Sequence, residues 1–205
     1  MTPEEIYKKL QEKFGENILG FDGDALDPWV QIKPDKLFDA ATFLKEEPDL
    51  SFTFLMCLSG MDYGAESDLG VVYHLFSMQH KHKITVRVDV PRDRAKVPSV
   101  EKIWRTADWH EREAYDLFGI VFDGHRDLRR ILCPDDWEGY PLRKDYIVQE
   151  YYHGIRVPYQ EDWAKHETFE RNPERGHFVF KFEEKVPHLV NDKDSKKNGK
   201  DKSKE

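Results

Sequence analysis

Residues 83–90, Lys-Ile-Thr-Val-Arg-Val-Asp-Val, alternate between polar and apolar side chains along their whole length. Because successive side chains of a β-strand point to opposite faces of a sheet, this alternation predicts a strand with one buried face. Two further strand-like runs precede it, at residues 51–58 and 69–78. Three strands in direct succession do not fit the strict strand–helix alternation of a doubly wound sheet. An α+β fold is therefore favoured.

Before these strands the chain alternates helical and extended patterns. Thr2 and Glu5 have the spacing of a capping box, and Pro3 stands at the first helical position, which together predict the start of a helix. Helix, strand, strand and helix are predicted in turn over residues 3–14, 18–21, 29–32 and 34–47. With the three strands and a further helix, this order predicts a two-layer domain in which helices pack on a mixed sheet.

A third helix is predicted after Pro98, where apolar residues fall on one face at 3.6 residues per turn. These residues are Val100, Ile103, Ala107, Ala114 and Leu117. On the opposite side Asp108, Arg112 and Asp116 are spaced four apart, so the arginine can pair with a carboxylate one turn away in each direction. This pattern favours an ion-paired helix face that docks on another surface.

Two glutamates of the same helix, Glu111 and Glu113, are the alternative candidates for acid–base catalysis. They are two positions apart and hence about 200° apart around the helix axis. Their carboxylates therefore flank the apolar face and do not converge. A catalytic carboxylate pair is disfavoured.

The composition excludes several classes of protein. Of 205 residues 39% are hydrophobic and 35% charged, and the net charge of −8 argues against nucleic-acid binding. Mean hydropathy is −0.79, and no apolar run approaches the roughly 20 residues that span a bilayer. The first residues resemble neither a secretory nor a mitochondrial targeting segment, so a bacterial cytosolic protein is expected. Cys57 and Cys133 are too few for the four thiolates that hold an iron–sulfur cluster, and both are expected to be buried.

The C-terminal part of the chain has a different character from the domain predicted over residues 1–146. Residues 147–190 are rich in aromatic side chains without a sustained period, which predicts an extended arm that wraps a partner. Within the arm, residues 178–182 alternate phenylalanine with other residues, as in a strand that pairs with a partner's sheet edge or within the chain. Residues 191–205 contain six lysines and no apolar side chain, so a disordered tail is expected.

A dense set of charged and aromatic residues between positions 107 and 146 is the most specific motif of the chain. Its members include Trp109, Glu111, Arg112, Glu113, Asp116, His125, Arg129, Ile131-Leu132 and Trp137-x-Gly139-x-Pro141-Leu142-Arg143-Lys144-Asp145-Tyr146. This pattern closely resembles the signature of the thirty-kilodalton (C) subunit of proton-translocating NADH:quinone oxidoreductase, respiratory complex I. The element order of residues 1–146 is compatible with the same family.

The resemblance implies a non-catalytic, cofactor-free structural subunit in the peripheral arm of complex I, at the cytoplasmic side of the bacterial inner membrane. Its expected partners are the D subunit, of the forty-nine-kilodalton type and near the quinone site, and the adjacent iron–sulfur (B) subunit. FMN, iron–sulfur clusters and quinone are expected in partner subunits. The chain itself has no Gly-x-Gly-x-x-Gly fingerprint and no cysteine quartet, so no catalytic, cofactor-binding or metal-binding residues are predicted.

Basic and aromatic residues after the third helix are predicted to contact the D subunit, because arginine and aromatic side chains are enriched at interface centres. They are Arg130, Trp137, Arg143, Lys144, Asp145 and Tyr146. A solvated basic face is the alternative. The resemblance also implies that His125 fixes its loop by hydrogen bonds.

Two other functions stay open. Related subunits occur in membrane-bound hydrogenases and in dehydrogenases with electron donors other than NADH, and the sequence does not identify the donor. A free-standing metal hydrolase that uses His110, His125 and nearby carboxylates is the remaining alternative. It lacks support from spacing, since neither His-Glu-x-x-His nor Cys-x-x-Cys occurs.

Overall fold

The computed structural model describes residues 1–156, 167–171 and 178–182. The chain divides into two compact units, Met1–Ile147 and Val148–Glu205. The first unit contains helices α1 (Pro3–Phe14), α2 (Leu37–Glu46) and α3 (Ala107–Phe118), and strands β1 (Ile18–Asp22), β2 (Trp29–Ile32), β3 (Phe54–Asp62), β4 (Leu69–Phe76), β5 (Lys83–Val90), β6 (Lys96–Pro98) and β7 (Val121–Asp123). No helix in the described part of the chain is long and apolar enough to cross a membrane.

Five strands form one mixed sheet in the order β1-β2-β5-β4-β3. Strand β2 runs parallel to β5, with Val30 opposite Val86, and the other neighbouring strands are antiparallel. Strand β5 is central, and its alternating Ile84, Val86, Val88 and Val90 are buried. The mixed sheet and the helices confirm the predicted α+β fold.

Helix α1 begins where the capping motif predicts. Thr2 Oγ1 accepts a hydrogen bond from the Glu5 backbone N–H, and the Glu5 carboxylate accepts one from the Thr2 backbone N–H. These bonds satisfy two donors that the first turn of a helix leaves without intrahelical partners. The helix then buries Ile6 and Leu10 in the core.

Helix α3 begins later than predicted. Residues 99–106 precede it as turns and irregular backbone, and before them β6 pairs in parallel with β7, two short strands that the sequence pattern missed. The backbone N–H of Val100 donates to a Glu111 carboxylate oxygen at 2.7 Å. Val100 and Ile103 are nevertheless buried. The helical spacing of apolar residues therefore includes Val100 and Ile103, which are buried although they lie in the turns before the helix.

Two short hairpins are described in the second unit. They pair β8 (Tyr151–Tyr152) with β9 (Ile155–Arg156), and β10 (Glu167–Arg171) with β11 (Phe178–Phe182). The strand predicted from the alternating phenylalanines is thus present, and it pairs within the chain. The rest of the predicted 147–190 arm beyond residue 156, and the whole 191–205 tail, lie outside the described residues.

Candidate functional site

The Asp116 carboxylate fastens the loop that follows β7 to the last turns of α3. Its Oδ2 accepts the backbone N–H groups of Ile131, Leu132 and Cys133 at 3.0, 2.7 and 2.9 Å, and its Oδ1 accepts Arg130 Nη1 at 2.8 Å. Burial alone would raise the pKa of this fully buried carboxyl, but the three N–H donors and the guanidinium outweigh burial and lower it. Asp116 therefore stays ionised and holds the loop on the helix.

Gly119 lets the loop close over the end of α3. It adopts left-handed backbone with φ of 71°, and a Cβ at this position would collide with the Tyr140 ring. The centroid of that ring lies 4.6 Å from Arg143 Cζ and 5.4 Å from Arg130 Cζ. Arg143 Nε also donates to the Phe118 carbonyl at 2.6 Å. The end of the helix is thus covered by a stacked aromatic and two guanidiniums.

A second carboxylate, Asp62 at the end of β3, holds the far part of the same loop. Arg92 forms ion pairs with Asp62 and, through Nη1 at 3.0 Å, with Asp145. The backbone N–H of Lys144 donates to Asp62 Oδ2 at 2.8 Å. Burial opposes ionisation here too, but the Lys144 N–H and the Arg92 guanidinium lower the pKa of Asp62. The loop is therefore tied to the sheet as well as to α3.

His125 lies among three carboxylates where the loop meets the start of α3. Its Nε2 is 3.5 Å from Asp108 Oδ1, 3.6 Å from Glu101 Oε2 and 4.0 Å from Glu111 Oε2, and its side chain is 0% exposed. The same nitrogen is 3.2 Å from the Asp108 carbonyl oxygen. Nδ1 accepts the Asp127 backbone N–H at 3.0 Å. These bonds join the loop to the helix through both ring nitrogens.

Two carboxyls of this cluster have pKa values shifted in opposite directions. Burial raises the pKa of Glu111 to about 7, although its carboxylate accepts the Ser99 hydroxyl at 2.6 Å and the Val100 N–H at 2.7 Å. A 2.6 Å hydrogen bond from Arg126 Nη2 is the main cause that lowers the pKa of Asp108. The two neighbouring carboxyls therefore differ in pKa because Asp108 has a guanidinium partner, whereas Glu111 has only neutral hydrogen-bond donors.

The predicted ion-paired outer face of α3 is only partly confirmed, since Arg112 pairs with Asp108 but not with Asp116. Arg112 and Asp116 are buried, and Asp116 pairs with Arg130 because the loop closes over this side of the helix. Arg112 Nη1 approaches Asp108 Oδ1 only to 4.0 Å, and its guanidinium carbon lies 4.8 Å from the Trp109 ring centroid. Asp108, Arg112 and Asp116 thus make their ionic contacts within the chain.

The other signature residues lie in contrasting surroundings. Glu111 is fully buried, whereas Glu113 is exposed two positions later, in agreement with their predicted divergence. Arg129 is exposed and pairs with Asp127 at 3.0 Å. Trp109 is 63% exposed. The signature therefore combines buried residues that fix the backbone with residues that face outward.

Most residues of the predicted partner contact make bonds within the chain, either inside the loop or from the loop to α3 and Arg92. Arg130, Arg143 and Asp145 form the contacts described above, and Trp137 Nε1 donates to the Tyr146 hydroxyl at 3.1 Å. The Lys144 side chain is exposed. The guanidiniums of Arg130 and Arg143 therefore hold the shape of the loop, and a fully solvated basic face does not describe them. The contact of this segment with the D subunit stays a prediction.

Apolar side chains are exposed on the loop and on the helix that carries it. Leu132 is 61% and Leu142 52% exposed, in addition to Trp109. Both leucines belong to the motif of residues 107–146, but sequence reasoning did not predict that they contact a partner. It also missed Asp62 and Arg92, which lie far from the motif and carry no signal beyond a polar residue at or just after the end of a strand.

Three atoms of the His125 cluster are close enough to surround a metal ion. Single ligand atoms of Glu101, Asp108 and His125 lie within 4.8 Å of one another. Histidine ligands usually donate their second ring N–H to a partner, and here Nδ1 instead accepts the N–H of Asp127. A metal on Nε2 would need a proton on Nδ1, facing that donor. The hydrogen bonds therefore fit a protonated Nε2 better than a metal ion.

One small cavity lies among the apolar side chains of the domain core. The enclosed cavity beside Leu44, Tyr73 and Trp104 measures about 10 Å³, room for no more than one water molecule. Cys57 and Cys133 are free thiols, and both are partly exposed, which corrects their predicted burial.

Comparison with known proteins gives a consistent result. The family model described as the respiratory-chain NADH dehydrogenase 30 kDa subunit matches residues 30–152. A protein of Chloroherpeton thalassium named as the C subunit of NADH-quinone oxidoreductase is 53% identical over 158 residues, covering 76% of this chain and 65% of that protein. One of Chlorobium phaeobacteroides with the same name is 51% identical, covering 75% of this chain and 93% of that protein. The match thus spans just under two thirds of the first relative and nearly all of the second.

Two solved structures share the fold. The trypsin-resistant fragment (1–134) of Nqo5 is 31% identical, with a TM-score of 0.52 over 62% of this chain and 100% of that one. A chain of the membrane-bound sulfane sulfur reductase, an archaeal respiratory membrane complex, is 27% identical, with a TM-score of 0.60 over 72% of this chain and 86% of that one.

Proposed function

This chain belongs to the respiratory-chain NADH dehydrogenase 30 kDa subunit family, and from that membership we propose that it is a structural subunit of a proton-translocating NADH:quinone oxidoreductase. It takes no part in electron transfer itself. Its role is to dock on the D subunit near the quinone site, beside the iron–sulfur (B) subunit. FMN, iron–sulfur clusters and quinone reside in the partners. The protein is peripheral, on the cytoplasmic side of the inner membrane.

The observation that carries this proposal is the loop fastened to α3 by Asp116, with apolar side chains exposed on both. Exposed large apolar groups on a rigid frame are typical of protein interfaces, in which a few apolar or aromatic anchors provide most of the binding energy. Trp109, Leu132 and Leu142 are such anchors. The buried ionised carboxylates beneath them keep the frame in one shape, which reduces the entropy lost on docking.

A pair of substitutions tests docking without disturbing the frame. Leu132→Asp and Leu142→Asp place a charge at exposed positions and leave Asp116 and its donors intact. We expect loss of co-purification with the D subunit from native membranes and a matching loss of NADH:quinone activity. Leu26→Asp is the matched control, since Leu26 is 95% exposed on a turn between β1 and β2. Full assembly of the double variant would overturn the proposed docking surface.

Reversal of Arg143 is a poorer test, because its guanidinium packs on Tyr140 and bonds the Phe118 carbonyl. Lys144→Glu changes the exposed charge alone and keeps the backbone bond to Asp62. If the electrostatic part of docking matters, this variant weakens assembly more at low salt than at high salt.

A second candidate is the equivalent subunit of a respiratory complex with a different electron donor. The structural likeness to a chain of the sulfane sulfur reductase supports it, whereas the relatives above 50% identity carry the NADH-quinone name. Affinity purification of the full chain from native membranes separates the two. NADH oxidation by the purified assembly with quinone supports the first candidate, and an assembly that lacks NADH activity but reduces another substrate supports the second.

A further inference from the structure

The cluster around His125 contains a carboxyl group that no cation partners. Glu111 is 0% exposed, and among the described residues its nearest charged or titratable ion-pair neighbour is His125 at 4.0 Å. Its two hydrogen bonds come from Ser99 and Val100, both neutral donors. An ionised carboxylate buried in this way is costly, because neutral donors replace only part of its hydration. A proton would remove that cost.

The guanidiniums nearby are already engaged by other carboxylates. Arg126 donates to Asp108 at 2.6 Å and its Nε lies 3.7 Å from Glu101. Arg112 lies 4.0 Å from Asp108 and stacks on an exposed ring. Three carboxylates thus face two guanidiniums, which leaves one net negative charge when every carboxyl is ionised. A single proton balances the cluster.

The His125 ring does not supply that balancing charge in the hydrogen-bond arrangement of the structure. Because Nδ1 accepts the Asp127 N–H, the ring is the neutral form with its proton on Nε2. That proton points to Asp108 and towards Glu101, whose Oε2 is buried and has no hydrogen-bond partner. In this hydrogen-bond arrangement the ring offers a single N–H to several oxygens, and the carboxyls are the groups of the cluster with a free oxygen for a further proton.

The sheet adds one more titratable neighbour and no cation. The Tyr73 hydroxyl of β4 is buried without a hydrogen-bond partner. Burial and, secondly, the charge of Glu111 raise the pKa of Tyr73 well above its ordinary value. The phenol therefore stays neutral, and the face of the cluster towards the sheet does nothing to balance an ionised Glu111.

We propose that Glu111, enclosed with Glu101, Asp108 and His125, is a buried proton-binding site. Glu111 holds the turn at Ser99 and Val100, and His125 holds the loop start. Release of the proton leaves an unbalanced buried charge and so favours opening of the turn and of the loop start from α3. Uptake of the proton stabilises the arrangement in which the turn at Ser99 and Val100 and the start of the loop pack on α3, the helix that carries the exposed Trp109.

The sign of the pH dependence follows from the direction of the shift. The pKa of Glu111 is about 7 in the folded chain and 4.5 ordinarily. The folded state therefore binds the proton more tightly, and this contribution to stability is fully present below pH 4.5 and is lost as pH rises through about 7. Between pH 5 and 8 the folding equilibrium constant is expected to fall by roughly ten- to a hundredfold through this group alone.

The test compares Glu111→Gln with Glu113→Gln in the full chain, by denaturant unfolding at pH values from 5 to 8. Gln is a neutral isostere that can keep the Val100 N–H bond. We expect Glu111→Gln to gain stability relative to the unsubstituted chain by roughly ten- to a hundredfold in the equilibrium constant as pH rises. Glu113→Gln, which removes an exposed carboxylate of the same helix, is expected to keep the original profile. An unchanged profile in Glu111→Gln would overturn the proposal.

A direct measurement covers the case in which Glu111→Gln fails to fold. NMR of the unsubstituted chain with 13C-labelled glutamate carboxyls provides this measurement. One carboxyl resonance is expected to shift with pH near neutrality, and its carboxyl group is expected to be protonated at pH 6. If all glutamate carboxyls are ionised at pH 6, there is no such site. Equilibrium dialysis with Zn²⁺ forms a second check. Stoichiometric Zn²⁺ binding that His125→Asn abolishes would show that the cluster holds a metal and would also overturn the proposal.

Discussion

The sheet and the segment that follows β6 are held together by different forces. In the sheet, side chains such as Leu75 and Val88 are buried against one another, and the stabilisation comes from apolar area removed from water. The later segment is held by Asp62 of β3 and by Glu111 and Asp116 of α3, whose carboxylates accept backbone N–H groups that no regular element satisfies. Apolar packing spreads stability over many contacts, whereas buried carboxylates concentrate it in a few. Loss of one group should therefore act globally in the sheet and locally in the loop.

Asp116→Ala is expected to have the largest effect. It leaves the Arg130 guanidinium and three backbone N–H groups without their acceptor, which costs about 3–5 kcal/mol for a buried charge pair broken on one side. We expect hydrogen exchange to accelerate most at residues 130–133, with the sheet amides less affected. Glu113→Ala on the same helix serves as the control. A loss below about 1 kcal/mol would contradict the concentration of stability at Asp116.

Leu75→Ala tests the other side of the comparison. Leu75 is 1% exposed on β4, and truncation of a buried leucine costs about 2–5 kcal/mol through lost burial and the cavity left behind. Denaturant unfolding should show reduced stability, and hydrogen exchange should accelerate across the whole sheet. Acceleration confined to the neighbours of Leu75 would contradict the idea that apolar packing makes the sheet one cooperative unit.

Gly119→Ala sharpens the comparison at the end of α3. The substitution places a Cβ against Tyr140 in left-handed backbone, at an expected cost of about 1–3 kcal/mol. Gly124→Ala is the matched control, because Gly124 also has positive φ, at 82°, but nothing lies within 4 Å of the added Cβ. The melting temperatures of both variants separate the cost of the left-handed backbone from the cost of the clash with Tyr140. Equal losses would show that backbone conformation alone matters and that the covering Tyr140 does not.

Thr2→Ala is expected to have the smallest effect. It removes one hydrogen bond of the capping box at the start of α1, typically worth about 1 kcal/mol. Thr53→Ala, at an exposed position in a loop, is the control. A denaturant midpoint that moves equally in both variants would show that the cap adds nothing beyond an exposed threonine.

Much of the sheet and the first two helices could be predicted from sequence, because packing on one face leaves a period of two or about 3.6 in the residues. Strand β5 and helix α1 are examples. The family resemblance of residues 107–146 is likewise confirmed by the family match. The start of α3 was predicted too early, because Val100 and Ile103 are buried without being helical.

The inner contacts of the signature segment could not be predicted in the same way. A carboxylate that accepts backbone N–H groups fixes no side-chain identity at those positions, so residues 131–133 carry no trace of their bond to Asp116. Arg130 lies 14 positions from Asp116, and no helical or strand period relates residues so far apart. Burial of charged residues on α3 depends on the loop that covers them, and that loop has no period.

The parallel pairing of β2 with β5 has a consequence for the order in which the chain folds. Strands β3, β4 and β5 are joined as neighbouring hairpins, so their contacts are local in sequence. Trp29 of β2 pairs with Thr85 of β5 across all of the intervening chain, and such distant pairings form slowly because a long loop must close first. During synthesis, α1, β1 and β2 leave the ribosome well before the central strand exists. Strand β2 therefore cannot pair with β5 until β5 has been synthesised, and until then Val30 and Ile32 are exposed and can form non-native contacts.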